Sequence, residues 1–159
     1  MLKKLIVLGL MVALRICPAN AQDKAVDLAI IVAKDSTLTD LASQDLARIF
    51  EEEKSKDPDG HKWVIVMREP GSPERATALE KIYQMDEDTY ATYFLRAVFA
   101  GRAQSKPKEF ANAAALREFV AATPGAIGLL RAADADASVK ILKVDGKAPG
   151  DADYGLKIK

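Results

Sequence analysis

Two rhythms of apolar residues alternate downstream of residue 25. Asp27-Leu28-Ala29-Ile30-Ile31-Val32-Ala33 is almost unbroken and rich in β-branched residues, which predicts a strand buried on both faces. Trp63–Met67 and Ala126–Leu130 have the same character, while Val139–Val144 alternates and predicts an edge-like strand. Between these runs the period lengthens. Leu38, Leu41, Ala42, Leu46, Ile49 and Phe50 recur at helical spacing, with a start anywhere from Thr39 to Ser43. Ala76, Leu79 and Tyr83 mark the narrow apolar face of a second helix. Tyr90, Tyr93, Phe94, Ala97 and Val98 mark a third, which Gly101 stops. Leu116, Phe119 and Val120 give a fourth helix with Asn112 as its cap.

Punctuation between the elements is clear. Asp57-Pro58-Asp59-Gly60 and Asp145-Gly146 are turns, Lys106-Pro107-Lys108 is a linker, Thr123-Pro124-Gly125 breaks the chain, and a polar tail follows from Lys147. The order β-α-β-α-α-α-β-β predicts the α/β class, with a small, mainly parallel sheet joined by helical crossovers. The contiguous helices of about residues 72–122 suggest a helical lobe leaning on that sheet. Phe50, Tyr93, Phe94, Phe119 and Ile127 are the expected core.

Residues 1–21 follow a different logic. Lys3 and Lys4 precede the apolar run Leu5–Leu14, and Ala19-Asn20-Ala21 gives a small-x-small cleavage site. That layout is a secretory signal peptide cut after Ala21, and the run is too short for a span of roughly 20 residues. Cys17, the one cysteine, is preceded by Ile16 where a lipobox needs a small residue, so it reads as filler discarded with the signal. The mature chain, 22–159, is then a single domain without disulfides or thiolate ligands. It has no second hydrophobic run, which predicts a periplasmic protein without membrane insertion after cleavage. The whole chain balances 23 basic against 23 acidic residues; loss of Lys3, Lys4 and Arg15 with the signal leaves 20 basic, a formal charge of −3. Such a surface gives no reason to expect nucleic acid as a partner.

Candidate chemistry is sparse. The chain has no Gly-x-Ser-x-Gly elbow, no His-Glu-x-x-His, no phosphate loop and no CxxC, so no catalytic residues, cofactor or metal ligands are assigned and a non-enzyme is expected. Glu51-Glu52-Glu53 reads as a solvated helix end, and His61, the single histidine, as an exposed loop residue. The informative segment runs strand, Arg68, Gly71-Ser72, helix. A helix start offers unpaired N–H groups and the positive end of the dipole. Ser72 could cap that helix and donate its hydroxyl, Gly71 allows close backbone approach, and Arg68 adds a forked donor for an oxyanion. An ordinary capped helix start, with Pro73 in its first turn, is the alternative.

Four stretches occur in an order that resembles the phosphate ABC-transporter substrate-binding proteins. They are Leu46-Ala47-Arg48-Ile49-Phe50, Pro58-Asp59-Gly60, Val64-Ile65-Val66-Met67-Arg68-Glu69-Pro70-Gly71-Ser72, and Phe119-Val120-Ala121-Ala122-Thr123-Pro124-Gly125-Ala126-Ile127-Gly128. The resemblance covers most of residues 27–144. It implies a type II periplasmic-binding-protein fold and a cleft between sheet and helical lobe. It also implies phosphate or a similar oxyanion as ligand, with a membrane permease or sensor as partner. By the same resemblance Arg68, Gly71 and Ser72 match phosphate-contacting positions, and the Ser36-Thr37 loop matches another ligand loop. Pro73 and Glu74 stand where the family has a glycine and a threonine. Proline has no N–H to give and glutamate brings a carboxylate, so weak phosphate binding is expected. The rival reading is a ligand-free envelope interaction module on the same scaffold.

Overall fold

A computed structural model describes residues 26–158; the signal peptide read from residues 1–21, with Cys17, lies outside them. Seven strands form one open sheet in the order β2-β6-β1-β5-β3-β4, with β7 paired to β1 at one end. They are β1 (Val26–Ala33), β2 (Asp40–Leu41), β3 (Val64–Arg68), β4 (Lys108–Phe110), β5 (Ala126–Arg131), β6 (Val139–Val144) and β7 (Lys157–Ile158). The helices are α1 (Ser43–Phe50), α2 (Pro73–Ala78), α3 (Glu87–Phe99) and α4 (Ala113–Ala122), and α2 runs straight into a π-helical turn at Leu79–Tyr83.

The α/β class holds, but the sheet is evenly mixed rather than mainly parallel. β3 runs parallel to β4 and β5, and β2 parallel to β6. β1 is antiparallel to β5, β6 and β7. The crossover argument holds only for strands that end up side by side, and β5 inserts between β1 and β3. β6 is accordingly interior, not an edge, because β1 and β2 flank it.

Alternation along the strands sorts the core into two layers. Leu28, Ile30 and Val32 of β1 face one side with Ile65, Met67, Ile127 and Leu129, and there α1, α2, the π-helical turn and α3 pack on them. Ala29 and Ile31 face the other side, with Val66 and Leu130, against Leu116 and Val120 of α4. The helices of 72–122 are therefore divided between the two faces instead of forming one lobe. β4, hidden in sequence by a linker-like Lys-Pro-Lys, adds to the sheet edge and carries the chain across. Gly128 sets how closely α4 sits: a Cβ there would lie 3.0 Å from Leu116 Cδ2 and 3.1 Å from Val120 Cγ2.

Phe50, Phe94 and Ile127 are buried as expected, whereas Tyr93 and Phe119 are half-buried at the margins of their layers. The polar tail also has a core role. Tyr154, Leu156 and Ile158 are buried, the Tyr154 hydroxyl donates to the Leu28 carbonyl at 2.8 Å, and β7 extends the sheet.

Candidate functional site

β3 ends at Arg68, and the chain turns through Glu69-Pro70-Gly71 before α2 begins. Gly71 adopts φ +88°, a left-handed conformation that a side chain disfavours, although space for a Cβ exists. Ser72 caps α2 as expected: its Oγ accepts from the Arg75 N–H at 3.3 Å. The same hydroxyl donates to the Glu69 carbonyl at 2.9 Å, so its proton points into the turn. Pro73 opens the helix without an N–H to offer. Half-buried Arg68 reaches the Phe110 carbonyl of β4 at a long 3.5 Å. Its Nε is buried without an acceptor, an arrangement that ordinarily calls for a partner. Arg68, Gly71 and Ser72 thus lie together at one end of the sheet.

The next two residues turn inward. Glu74 is only 5% exposed, and its carboxylate accepts from Arg131 Nε at 2.7 Å. The acid at the helix start is therefore neutralised by β5 rather than aimed at solvent. Arg75 is 2% exposed and grips Glu87 with two bonds of 2.6 and 2.9 Å. It also donates to Glu109 at 3.1 Å and to the Arg68 carbonyl at 3.3 Å, with the Tyr90 ring 4.8 Å from the guanidinium carbon. A groove of about 540 Å³ opens above it, bordered by Pro70, Tyr90, Leu95 and Lys106. A second, more open depression includes Gly71, Ala76 and Glu87.

These partners were not legible in the sequence. Arg75 and Glu87 are twelve residues apart with a π-helical turn between them, so no simple i, i+4 spacing links them. Arg131 meets Glu74 only because β5 lies parallel beside β3. Neither that pairing nor its register is encoded in the two apolar runs.

Ser36 and Thr37 lie elsewhere. They follow β1, which is antiparallel to β5 and hence opposed to β3, so their loop sits at the far end of the sheet from Arg68. Ser36 and Thr37, expected as a second ligand loop, therefore do not share a site with Arg68, Gly71 and Ser72. Thr37 is engaged by the turn before β3: its N–H and hydroxyl donate to the two Asp59 carboxylate oxygens at 3.0 and 2.6 Å. Those bonds hold the Asp59 carboxyl below its ordinary value. The Ser36 carbonyl accepts from Lys140 Nζ, and its Oγ accepts from the Leu38 N–H at 3.3 Å.

Comparison with known proteins places this architecture. No family model matches the chain, and no curated protein matches it. Among solved structures, a Clostridium perfringens protein assigned as a phosphate ABC transporter substrate-binding protein, with phosphate bound, superposes with a TM-score of 0.67 at 19% identity. The match covers 83% of this chain and 52% of that one. PstS from Borrelia burgdorferi gives 0.64 at 16% identity over 84% and 55% of the two chains. An ABC-type phosphate transport receptor from Vibrio cholerae gives 0.62 at 16% over 78% and 48%. The fold is that of these phosphate-transport binding proteins. The chain spans about half the length of the solved structures it matches. Among the described residues no helix is long and apolar enough to cross a membrane.

Proposed function

We propose that the protein is an exported periplasmic solute-binding protein, not an enzyme, that takes phosphate or a similar oxyanion weakly at the β3–α2 turn. The observation that carries this reading is Arg68, whose buried Nε has no acceptor beside the left-handed Gly71 turn. The shared fold supports it, since matched proteins are named for phosphate transport. In this reading Arg68 supplies the charge, the Gly71 backbone allows approach, and the Ser72 hydroxyl turns outward to donate. That rotation gives up the bond to Glu69, and Pro73 adds no N–H, which is why affinity is low. A millimolar dissociation constant corresponds to only about −4 kcal/mol. A permease or sensor in the membrane is the partner that such a receptor would serve.

Titration calorimetry with inorganic phosphate tests the site. The native protein should bind in the millimolar range, and Arg68→Ala should abolish binding. Pro73→Gly, which restores an N–H, should strengthen it. Intact mass of envelope-extracted protein should show an N-terminus at Gln22; recovery of the full-length chain would overturn the export reading.

One observation favours the rival reading, a ligand-free interaction module. The charges at the start of α2 are already matched, Glu74 by Arg131 and Arg75 by Glu87 and Glu109. If phosphate gives no heat with the native protein or with Pro73→Gly, the interaction module is the better description.

A further inference from the structure

We propose that the Asp57–His61 turn, at the end of the sheet away from Arg68, is a site for a divalent transition-metal ion held by Asp57, Asp59 and His61. The three residues alternate along the turn, and one ligand atom from each lies within 4.8 Å of the other two. Asp57 Oδ2 and His61 Nδ1 are already 3.2 Å apart, close to the separation of two ligands on one small ion. Asp57 is buried, while Asp59 and His61 are exposed, so an ion can arrive from solvent and meet a fixed anchor beneath.

The turn is closed by its own hydrogen bonds. The His61 N–H donates to Asp57 Oδ1 at 2.7 Å, and the Asp57 N–H donates to the His61 carbonyl at 2.8 Å. Two outside elements brace it. Thr37 orients the Asp59 carboxylate from the β1–β2 loop with two bonds, the outer-shell support that metal-binding carboxylates ordinarily have. Gly125, before β5, packs so tightly that its missing Cβ would fall 2.9 Å from His61 Cβ.

The donor set selects the ion. Two carboxylates and an imidazole suit zinc, nickel or copper, whereas magnesium and calcium prefer all-oxygen cages. Three protein ligands leave coordination positions for water, so affinity should be moderate. Two carboxylates and one neutral imidazole also cancel the charge of a divalent ion.

The test uses the full chain without an affinity tag, titrated with zinc chloride in a calorimeter and with nickel chloride by NMR. Zinc should bind at one equivalent, and nickel should broaden the amides of Thr37 and residues 57–62 first. Magnesium at the same concentration should do neither. His61→Gln and Asp59→Asn should each weaken zinc at least tenfold; Asp57 also holds the turn together, so it is left intact. Thr37→Val, a positioning change, should weaken zinc about tenfold with stoichiometry kept, and Thr37→Ser should restore it. Absence of zinc binding up to millimolar concentration would overturn the proposal. So would zinc binding that His61→Gln leaves unchanged, or nickel broadening centred elsewhere in the chain.

Discussion

Arg75 joins the start of α2 to α3 through Glu87, to β4 through Glu109 and to β3 through the Arg68 carbonyl. Its side chain is almost fully buried while Glu87 is half exposed and Glu109 keeps Lys106 at 3.4 Å, so removing the arginine leaves a buried void and four lost hydrogen bonds rather than a stranded charge. Arg75→Ala should therefore cost about 3 kcal/mol, read by urea denaturation with the single tryptophan, Trp63, as probe. Arg75→Lys should recover little, because a point charge cannot reproduce the two-pronged grip on Glu87. Gly125 is the second sensitive position. Its φ is +79°, and an added Cβ would lie 2.4 Å from the Lys62 carbonyl oxygen. Gly125→Ala should destabilise by more than about 1 kcal/mol, whereas Gly71→Ala, with open space around it, should cost less. The recognisable part of the candidate site was confined to one turn: Ser72 as cap, Pro73 beside it, and Gly71 opening the approach. The fates of Glu74 and Arg75 depend on residues brought in by other strands, which single-chain spacing does not encode.

Helix α3 shows what periodicity does and does not convey. Tyr90, Phe94 and Ala97 are buried as the 3.6-residue repeat implied, and Ala100-Gly101 ends the helix. Val98, part of the same repeat, is exposed together with Leu95 and Phe99, because the apolar stripe is wider than the surface beneath it. Phe94 packs edge-on to Tyr83 and Tyr93, so Phe94→Ala should cost about 3–5 kcal/mol. Phe99→Ser, at 86% exposed, should change stability by less than about 0.5 kcal/mol. Short strands escaped notice for physical reasons. β4 has three residues and a proline before it; β7 has two, although the alternation Tyr154, Leu156, Ile158 was a usable sign. Burial raises the phenol of every tyrosine, Tyr83, Tyr90, Tyr93 and Tyr154, above its ordinary value near 10. A raised phenol keeps its proton in the fold and loses it in the open chain. The stability these phenols contribute is thus fully present below pH 10 and is lost as pH rises beyond it. Phenolate absorbance should appear together with unfolding, not before it.

Across the molecule, the sequence conveyed the layers and class better than the wiring. Buried runs and amphipathic helices imply a covered sheet, but strand neighbours are decided by long-range packing, and β5 takes the place beside β3 that β1 would have filled. That single insertion made the sheet mixed and sent Ser36 and Thr37 to the end away from Arg68. It also governs the order of events in folding. The first strand sits in the middle of the sheet, with Ile30 opposite Leu129 on one side and Leu142 on the other, and it meets β7 at its start. None of its partner strands, β5, β6 and β7, exists until the chain beyond Ala126 is available. Closure over about 100 residues is slow compared with local pairing. A chain ending at Ala122 should accordingly show helical circular dichroism without a cooperative urea transition. The longer chain should stay open until β5, β6 and β7 are all available to close around β1.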